Sequence, residues 1–323
     1  MLINLHSHLE GRVRPETAAE LARGAGVPEP PAGWARALRL DGPADLTAYL
    51  EKVAASYPFF RRLDAIERIA REAVEDAAAG GQDYLELRFG PATHADDDRG
   101  LAEVIAAVAR GMAAGSAASG MPSGAVVAAL RHHDEATNLA VARAAAAAAG
   151  DVVCGFDLAG DESRFPRHDV HAPAFGVAAA AGLGLTCHAA EAGEAAAVAD
   201  ALHWLGVSRI GHGAHLVDDP EQLARAADAG LVVEICPTSN HFTGAIDRVA
   251  DHPGAAMRRA GVRLALGDDN PMQTGSDLAA ERRVLVAQLG WDERSLAELD
   301  RTSVAAAFLE PAVRRALEAR LPV

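Results

Sequence analysis

The chain has 323 residues, half of them hydrophobic, and a formal net charge of −15. This length and apolar content suit one large core, and the charge argues against nucleic acid or an anionic membrane as a partner. No run of residues reads as a signal peptide or a transmembrane span, so a cytoplasmic protein with a single domain, residues 1–323, is expected.

Eight short apolar runs read as strands, at about 2–6, 84–89, 125–130, 152–158, 183–188, 208–211, 231–236 and 262–267. They are rich in leucine and β-branched residues. Between them lie stretches rich in Ala, Arg and Glu with helical spacing. The first is 64–79, with Ile66, Ile69, Ala70 and Val74 on one face. The others are 101–118, 135–149, 171–182, 194–205, 219–229 and 253–260. Asp219-Pro220 marks a helix start, with Asp219 at the cap and Pro220 at the first helical position. Alternating strands and helices predict a parallel sheet, and eight units predict its closure into an α/β fold, the (β/α)8 TIM barrel.

The longest connection follows the first strand and runs from residue 7 to about 83. It carries the Pro/Gly-rich stretch 28–33 and an apolar cluster, Leu46, Tyr49, Leu50, Tyr57, Phe59 and Phe60. Two roles are open for it: packing on the barrel, or covering a substrate as a lid. Cys154, Cys187 and Cys236 lie in apolar runs and read as small buried hydrophobes.

The chemistry lies at strand ends. His6 and His8 close the first strand, and period two points both imidazoles to one side. His188 ends the fifth strand and Asp268 the eighth, which neighbours the first in a closed barrel. His6, His8, His188 and Asp268 suit one zinc ion per chain with an open position for water. Zinc makes water nucleophilic near neutral pH, which implies hydrolysis. Glu191 follows His188 by three residues and could protonate a ring nitrogen. His212, between Gly211 and Gly213, could orient the attacking water. Asp269 could add a hydrogen bond to substrate or water. The alternative for Glu191, His212 and Asp269 is a polar strand-end residue that caps a helix. The one lysine, Lys52, lies on no strand, which disfavours two metals bridged by a carbamylated lysine and supports a mononuclear site.

The motifs in combination resemble the adenosine deaminase family of the amidohydrolase superfamily, over nearly the whole length. They are His6-Ser7-His8-Leu9-Glu10-Gly11 with Arg14-Pro15-Glu16-Thr17, and Asp157-Leu158-Ala159-Gly160-Asp161-Glu162. His188-Ala189-Ala190-Glu191, Arg209-Ile210-Gly211-His212-Gly213, Cys236-Pro237-Thr238-Ser239-Asn240 and Asp268-Asp269 complete the set. The resemblance implies zinc-dependent hydrolytic deamination at C6 of an aminopurine, a small-molecule substrate, with water as co-substrate. It implies that His6, His8, His188 and Asp268 carry the metal and that Glu191 protonates N1. His212 and Asp268 would orient the attacking water, Asp269 would bond N7, and the Gly160 backbone would contact N3.

Three departures bear on the substrate. Glu10 stands where the family usually has Asp, a position linked to sugar hydroxyls. Arg12 replaces a small residue, and Asn270 intervenes before Pro271. Adenosine is the expected substrate. Adenine or a modified adenosine, a cyclic amide or pterin, and a non-catalytic binding role are the alternatives.

Overall fold

The computed structural model describes residues 1–96 and 100–321. Eight parallel strands close into a barrel in sequence order. They are β1 (Ile3–His8), β2 (Tyr84–Phe89), β3 (Ser123–Leu130), β4 (Val153–Ala159), β5 (Gly184–Ala189), β6 (Arg209–His212), β7 (Val232–Ile235) and β8 (Arg263–Leu266). Each of the eight expected strands is present, with ends shifted by a residue or two. β1 continues to His8, so both histidines of the first motif lie on the strand.

The barrel closes where β1 meets β8. Asn4 pairs with Leu266, and beyond it Asp269 N–H donates to His6 O (2.9 Å) while His8 N–H donates to Asp269 O (2.8 Å). These bonds tie the eighth strand end directly to the two histidines. The β1–β2 register shifts between Asn4 and Ser7, a local irregularity of the kind that re-aims side chains at barrel rims.

The expected helices pack around the barrel: Leu63–Ala79, Leu101–Ser119, Glu135–Ala147, Ala172–Ala180, Pro220–Asp228 and Gly254–Arg259. The stretch predicted at 194–205 is Ala196–Asp200 continued by a π-helical turn, Ala201–Leu205. Asp219 caps its helix as the sequence implied, accepting from Glu221 N–H at 2.9 Å; an Asx N-cap contributes about 1 kcal/mol. Contrary to the sequence expectation, Leu101–Ser119 is long and apolar enough to cross a membrane by length and composition. Here it lies on the barrel, with Val104, Ile105, Val108 and Met112 in the core. Gly111 meets Leu63–Ala79 so closely that a Cβ would collide with the Glu67 carbonyl.

The long first connection divides into two parts, one packed in the core and one lining the mouth. Phe59 and Phe60 join the main core. The helix Leu46–Ala54 stands over the C-terminal mouth of the barrel, where Tyr49 and Val53 form a separate small cluster with Leu40, packed against Leu50, Tyr57 and Phe242. Two polar bonds hold this helix across the mouth. Thr47 Oγ1 donates to Asp161 Oδ2 (2.6 Å) beyond β4, and Tyr49 O–H donates to Asp269 Oδ2 (2.8 Å) beyond β8. After β8, the helix Glu293–Ala306 packs on β1 and β8, and Phe308 reaches the N-terminal end of the barrel, where the Arg209 guanidinium stacks on its ring at 3.6 Å.

Candidate active site

Beneath the mouth, the barrel interior is charged rather than aliphatic. Arg88 on β2 bonds Asp157 on β4 (3.1 Å) and Glu234 on β7 (2.7 Å). Arg209 on β6 bonds Glu234 (2.6 Å) and Glu86 on β2. Two guanidiniums thus face three carboxylates, all essentially inaccessible to solvent. Burying such groups is costly unless every partner is satisfied, and the excess carboxylate favours a cation above the network. Glu86, Arg88, Arg209 and Glu234 received no role from the sequence. The available signal was charge at alternate positions of otherwise apolar strands.

Two of these carboxylates back histidines. Glu234 Oε2 lies 2.8 Å from His6 Nδ1, and Asp157 Oδ2 lies 3.1 Å from His188 Nδ1. A carboxylate accepts only, so each ring carries its proton on Nδ1 and turns an Nε2 lone pair to the mouth. His6 Nε2 is buried and, among the described residues, has no hydrogen-bond partner. His8 Nε2 lies 3.1 Å from His188 Nε2. Ligand atoms of His6, His8 and His188 lie within 4.8 Å of one another. Carboxylate-backed imidazoles with inward lone pairs are what a bound zinc requires, so the donor set fits a metal.

The fourth expected ligand needs correction. Asp268 faces away from the histidines, and its carboxylate pairs with Arg12 Nη2 at 2.5 Å. Asp269 takes the inward place: its Oδ1 lies 3.3 Å from His8 Nε2 and 3.6 Å from His6 Nε2. The cause is backbone geometry. Asp269 has φ +55° and its N–H and C=O both bond β1, which turns its side chain over the mouth. The carboxylate that faces the histidines is therefore one residue beyond the expected Asp268. Around Asp269, the Tyr49 and Ser239 hydroxyls donate to its Oδ2 (2.8 and 2.5 Å) and Asn270 Nδ2 to its Oδ1 (2.8 Å). Asn270, read from sequence only as a departure, lines the cavity beside it.

Glu191 and His212 also face the cavity. Burial, reinforced by the charges of Asp269 and Glu162, raises the Glu191 pKa well above the usual carboxylate value, which favours its protonated, neutral form. Its backbone is clamped: Glu162 accepts from the N–H groups of Ala190, Glu191, Ala192 and Gly193 at 2.9–3.3 Å. His212 Nδ1 lies 3.5 Å from Glu191 Oε1. Burial lowers the His212 pKa to about 3 and the His8 pKa to about 4, so both rings are neutral. The glycine before His212 serves its neighbour: a Cβ at Gly211 would lie 2.6 Å from the His6 ring.

Among the described residues, the non-glycine residues with positive φ are Ala190, His212 and Asp269. All three sit at this rim, where strain of about 1–3 kcal/mol each persists only if the surroundings enforce it.

The cavity, about 320 Å³, opens from this cluster toward Glu10, Thr47, Thr93, Gly160, Asp161 and Arg164. Gly160, at φ +106°, presents backbone to it. Glu10 is buried at the wall, its Oε1 bonded by His94 Nε2 (2.9 Å) and by Gly90 N–H (3.3 Å). Arg12 does not pair with Glu10 and does not line the cavity.

Comparison with known proteins agrees with this architecture. The adenosine deaminase family profile matches residues 2–322. An adenosine deaminase of Shewanella denitrificans is 34% identical, with 98% of this chain and 97% of that protein covered. The crystal structure of an adenine deaminase from Arthrobacter aurescens superposes with a TM-score of 0.90 at 26% identity, covering 99% of this chain and 98% of that one. An amidohydrolase from Burkholderia ambifaria with bound zinc gives a TM-score of 0.89 at 26% identity, covering 98% and 88%. A full-length match of this kind, on a barrel whose polar strand ends meet at one mouth, makes the chain a hydrolase of the adenosine deaminase family.

Proposed function

We propose that the protein removes the 6-amino group of adenosine by hydrolysis, releasing ammonia, with one zinc ion held by His6, His8, His188 and Asp269. The observation that carries this reading is the placement of Glu191, whose burial favours the neutral acid, in one cavity with the three-histidine cluster. A neutral carboxylic acid next to a cation site is arranged to give a proton to a ring nitrogen while water attacks the adjacent carbon. Bound zinc would supply the Lewis acidity that makes water nucleophilic near pH 7.

The chain's own groups divide the remaining work. Glu191 donates to N1 and so makes C6 electrophilic. His212 orients the attacking water. The Gly160 backbone faces the purine edge, and Asn270, neutral and next to the metal-facing carboxylate, takes the position for the far edge of the ring. The Leu46–Ala54 helix covers the mouth and excludes bulk water. Beyond the purine, Glu10, Thr47 and Thr93 offer hydroxyl-bonding partners for a ribose.

A second reading, free adenine as substrate, is favoured by one feature. Glu10 is already engaged by His94 and Gly90, which narrows what it can offer a sugar. Ammonia release from adenosine, 2′-deoxyadenosine, adenine and adenosine 5′-phosphate, measured with metal content, tests both. The expected result is the highest kcat/KM for adenosine. Faster turnover of adenine would establish the second reading, and no ammonia from any of them by zinc-loaded protein would overturn both.

A further inference from the structure

The histidine cluster poses a choice. His6 and Asp269 group equally well with His212 as His6 and His8 do with His188. Distances alone do not say whether His212 is a metal ligand. Its tautomer does, and a chain of hydrogen bonds behind the ring determines it.

The chain starts at a donor that cannot reverse, the backbone N–H of Gly254. It lies 3.1 Å from His252 Nδ1, which must therefore accept. A neutral imidazole with Nδ1 accepting carries its proton on Nε2. His252 is buried, and burial lowers its pKa to about 3, so it is neutral. Its Nε2–H then donates to Asn240 Oδ1 at 3.2 Å. That bond orients the Asn240 amide, whose Nδ2 donates to His212 Nδ1 at 3.1 Å. With Nδ1 accepting, the proton of neutral His212 resides on Nε2. Flipping the amide would turn Asn240 Nδ2 toward His252 Nε2. His252 would then need its proton on Nδ1, head to head with the Gly254 N–H. That arrangement leaves a buried donor facing a donor, a desolvation penalty with no compensating bond.

We infer that Gly254, His252 and Asn240 form a relay that fixes His212 in the Nε2–H tautomer, so that His212 presents a hydrogen-bond donor to the site and not a metal ligand or a proton acceptor. The contrast with its neighbours is chemical. His6 and His188 are backed by carboxylates and turn lone pairs inward; His212 Nδ1 is hydrogen-bonded by the Asn240 amide at 3.1 Å, with the Glu191 carboxyl farther off at 3.5 Å, and the ring turns N–H inward. Asn240 and His252 are positioning residues, neither of which lines the cavity. The consequence for catalysis, that the N–H orients the attacking water, rests on the proposed deamination; the tautomer does not.

The experiment reads the two separately. In zinc-loaded protein with ¹⁵N-labelled histidine, the His212 ring is assigned by comparison with His212→Gln, and proton–nitrogen correlations report which nitrogen carries hydrogen. The native protein is expected to show Nε2–H only. Asn240→Asp keeps the acceptor for His252 but presents a second acceptor to His212, so the proton is expected to move to Nδ1. Zinc content and KM stay at native values while kcat falls about 10²–10⁴-fold, the range for misplacing a catalytic proton. His252→Gln, which can still donate to Asn240, is expected to retain Nε2–H; His252→Leu, which cannot, gives a mixture. Nδ1–H in the native protein, or an unchanged tautomer in Asn240→Asp, would overturn the inference. If the spectra agree but no 6-aminopurine is deaminated, the relay stands and the proposed reaction fails.

Discussion

Asp268 and Asp269 are adjacent in the chain and face opposite ways: Asp268 bonds Arg12 at 2.5 Å, while Asp269 approaches His8 at 3.3 Å. Their substitutions should therefore separate. Asp269→Asn is expected to lose metal affinity by more than the 10–100-fold typical of an outer-shell partner. Asp268→Asn should keep the metal and lose about 1.5–3 kcal/mol of stability, because the buried Arg12 exchanges a charged partner for a neutral one. Zinc titration and denaturant unfolding of both variants decide it; metal loss in Asp268→Asn alone would return Asp268 to the ligand set.

Glu191→Gln removes the proton but leaves the metal-facing residues intact. Zinc content should be native and kcat should fall about 10²–10⁴-fold. The pH dependence has a definite sign. In the proposed reaction the active form of Glu191 is protonated, and burial chiefly raises its pKa, so kcat/KM should hold through the acidic range and decline as pH rises past the raised pKa. An alkaline limb that persists unchanged in the residual activity of Glu191→Gln would assign it to another group.

Glu281 gives a stability test away from the chemistry. Burial raises its pKa from 4.5 to about 7, with Ser276 and Thr238 bonds opposing. Between those values the folded protein holds a proton that the unfolded chain has released. Stability therefore falls as pH rises from about 4.5 to 7, and the full penalty, about 3 kcal/mol, applies above 7. Glu281→Gln should be more stable than native at pH 8.5 and show a smaller difference at pH 5, measured by urea unfolding. Equal differences at both pH values would assign the effect to packing.

Tyr49 joins the covering helix to the metal-facing carboxylate through its 2.8 Å bond to Asp269. Tyr49→Phe should weaken zinc binding about tenfold, the lower end for an outer-shell partner, and loosen Leu46–Ala54. The single lysine of the chain, Lys52, lies in this helix. A lysine-specific protease therefore reports its opening as one cut, giving fragments 1–52 and 53–323. Faster cutting is expected in Tyr49→Phe; native cutting rates together with native zinc affinity would show that the hydroxyl couples nothing.

Much of this protein is determined locally. Apolar runs of four to eight residues separated by helical spacing specify eight strands and their helices, because side-chain periodicity is a property of the chain itself. Strand ends then identify His6, His8, His188, Glu191 and His212 as neighbours at one mouth, since parallel strands in a closed barrel all end on the same side. What lay beyond the sequence depends on contacts between distant segments. The one-residue choice between Asp268 and Asp269 is made by a left-handed backbone bonded to β1. The roles of the histidines are set by what stands behind each ring: Glu234 behind His6, Asp157 behind His188, and Asn240 behind His212. A histidine is the same residue in all three places; only the packed structure decides which nitrogen keeps the proton.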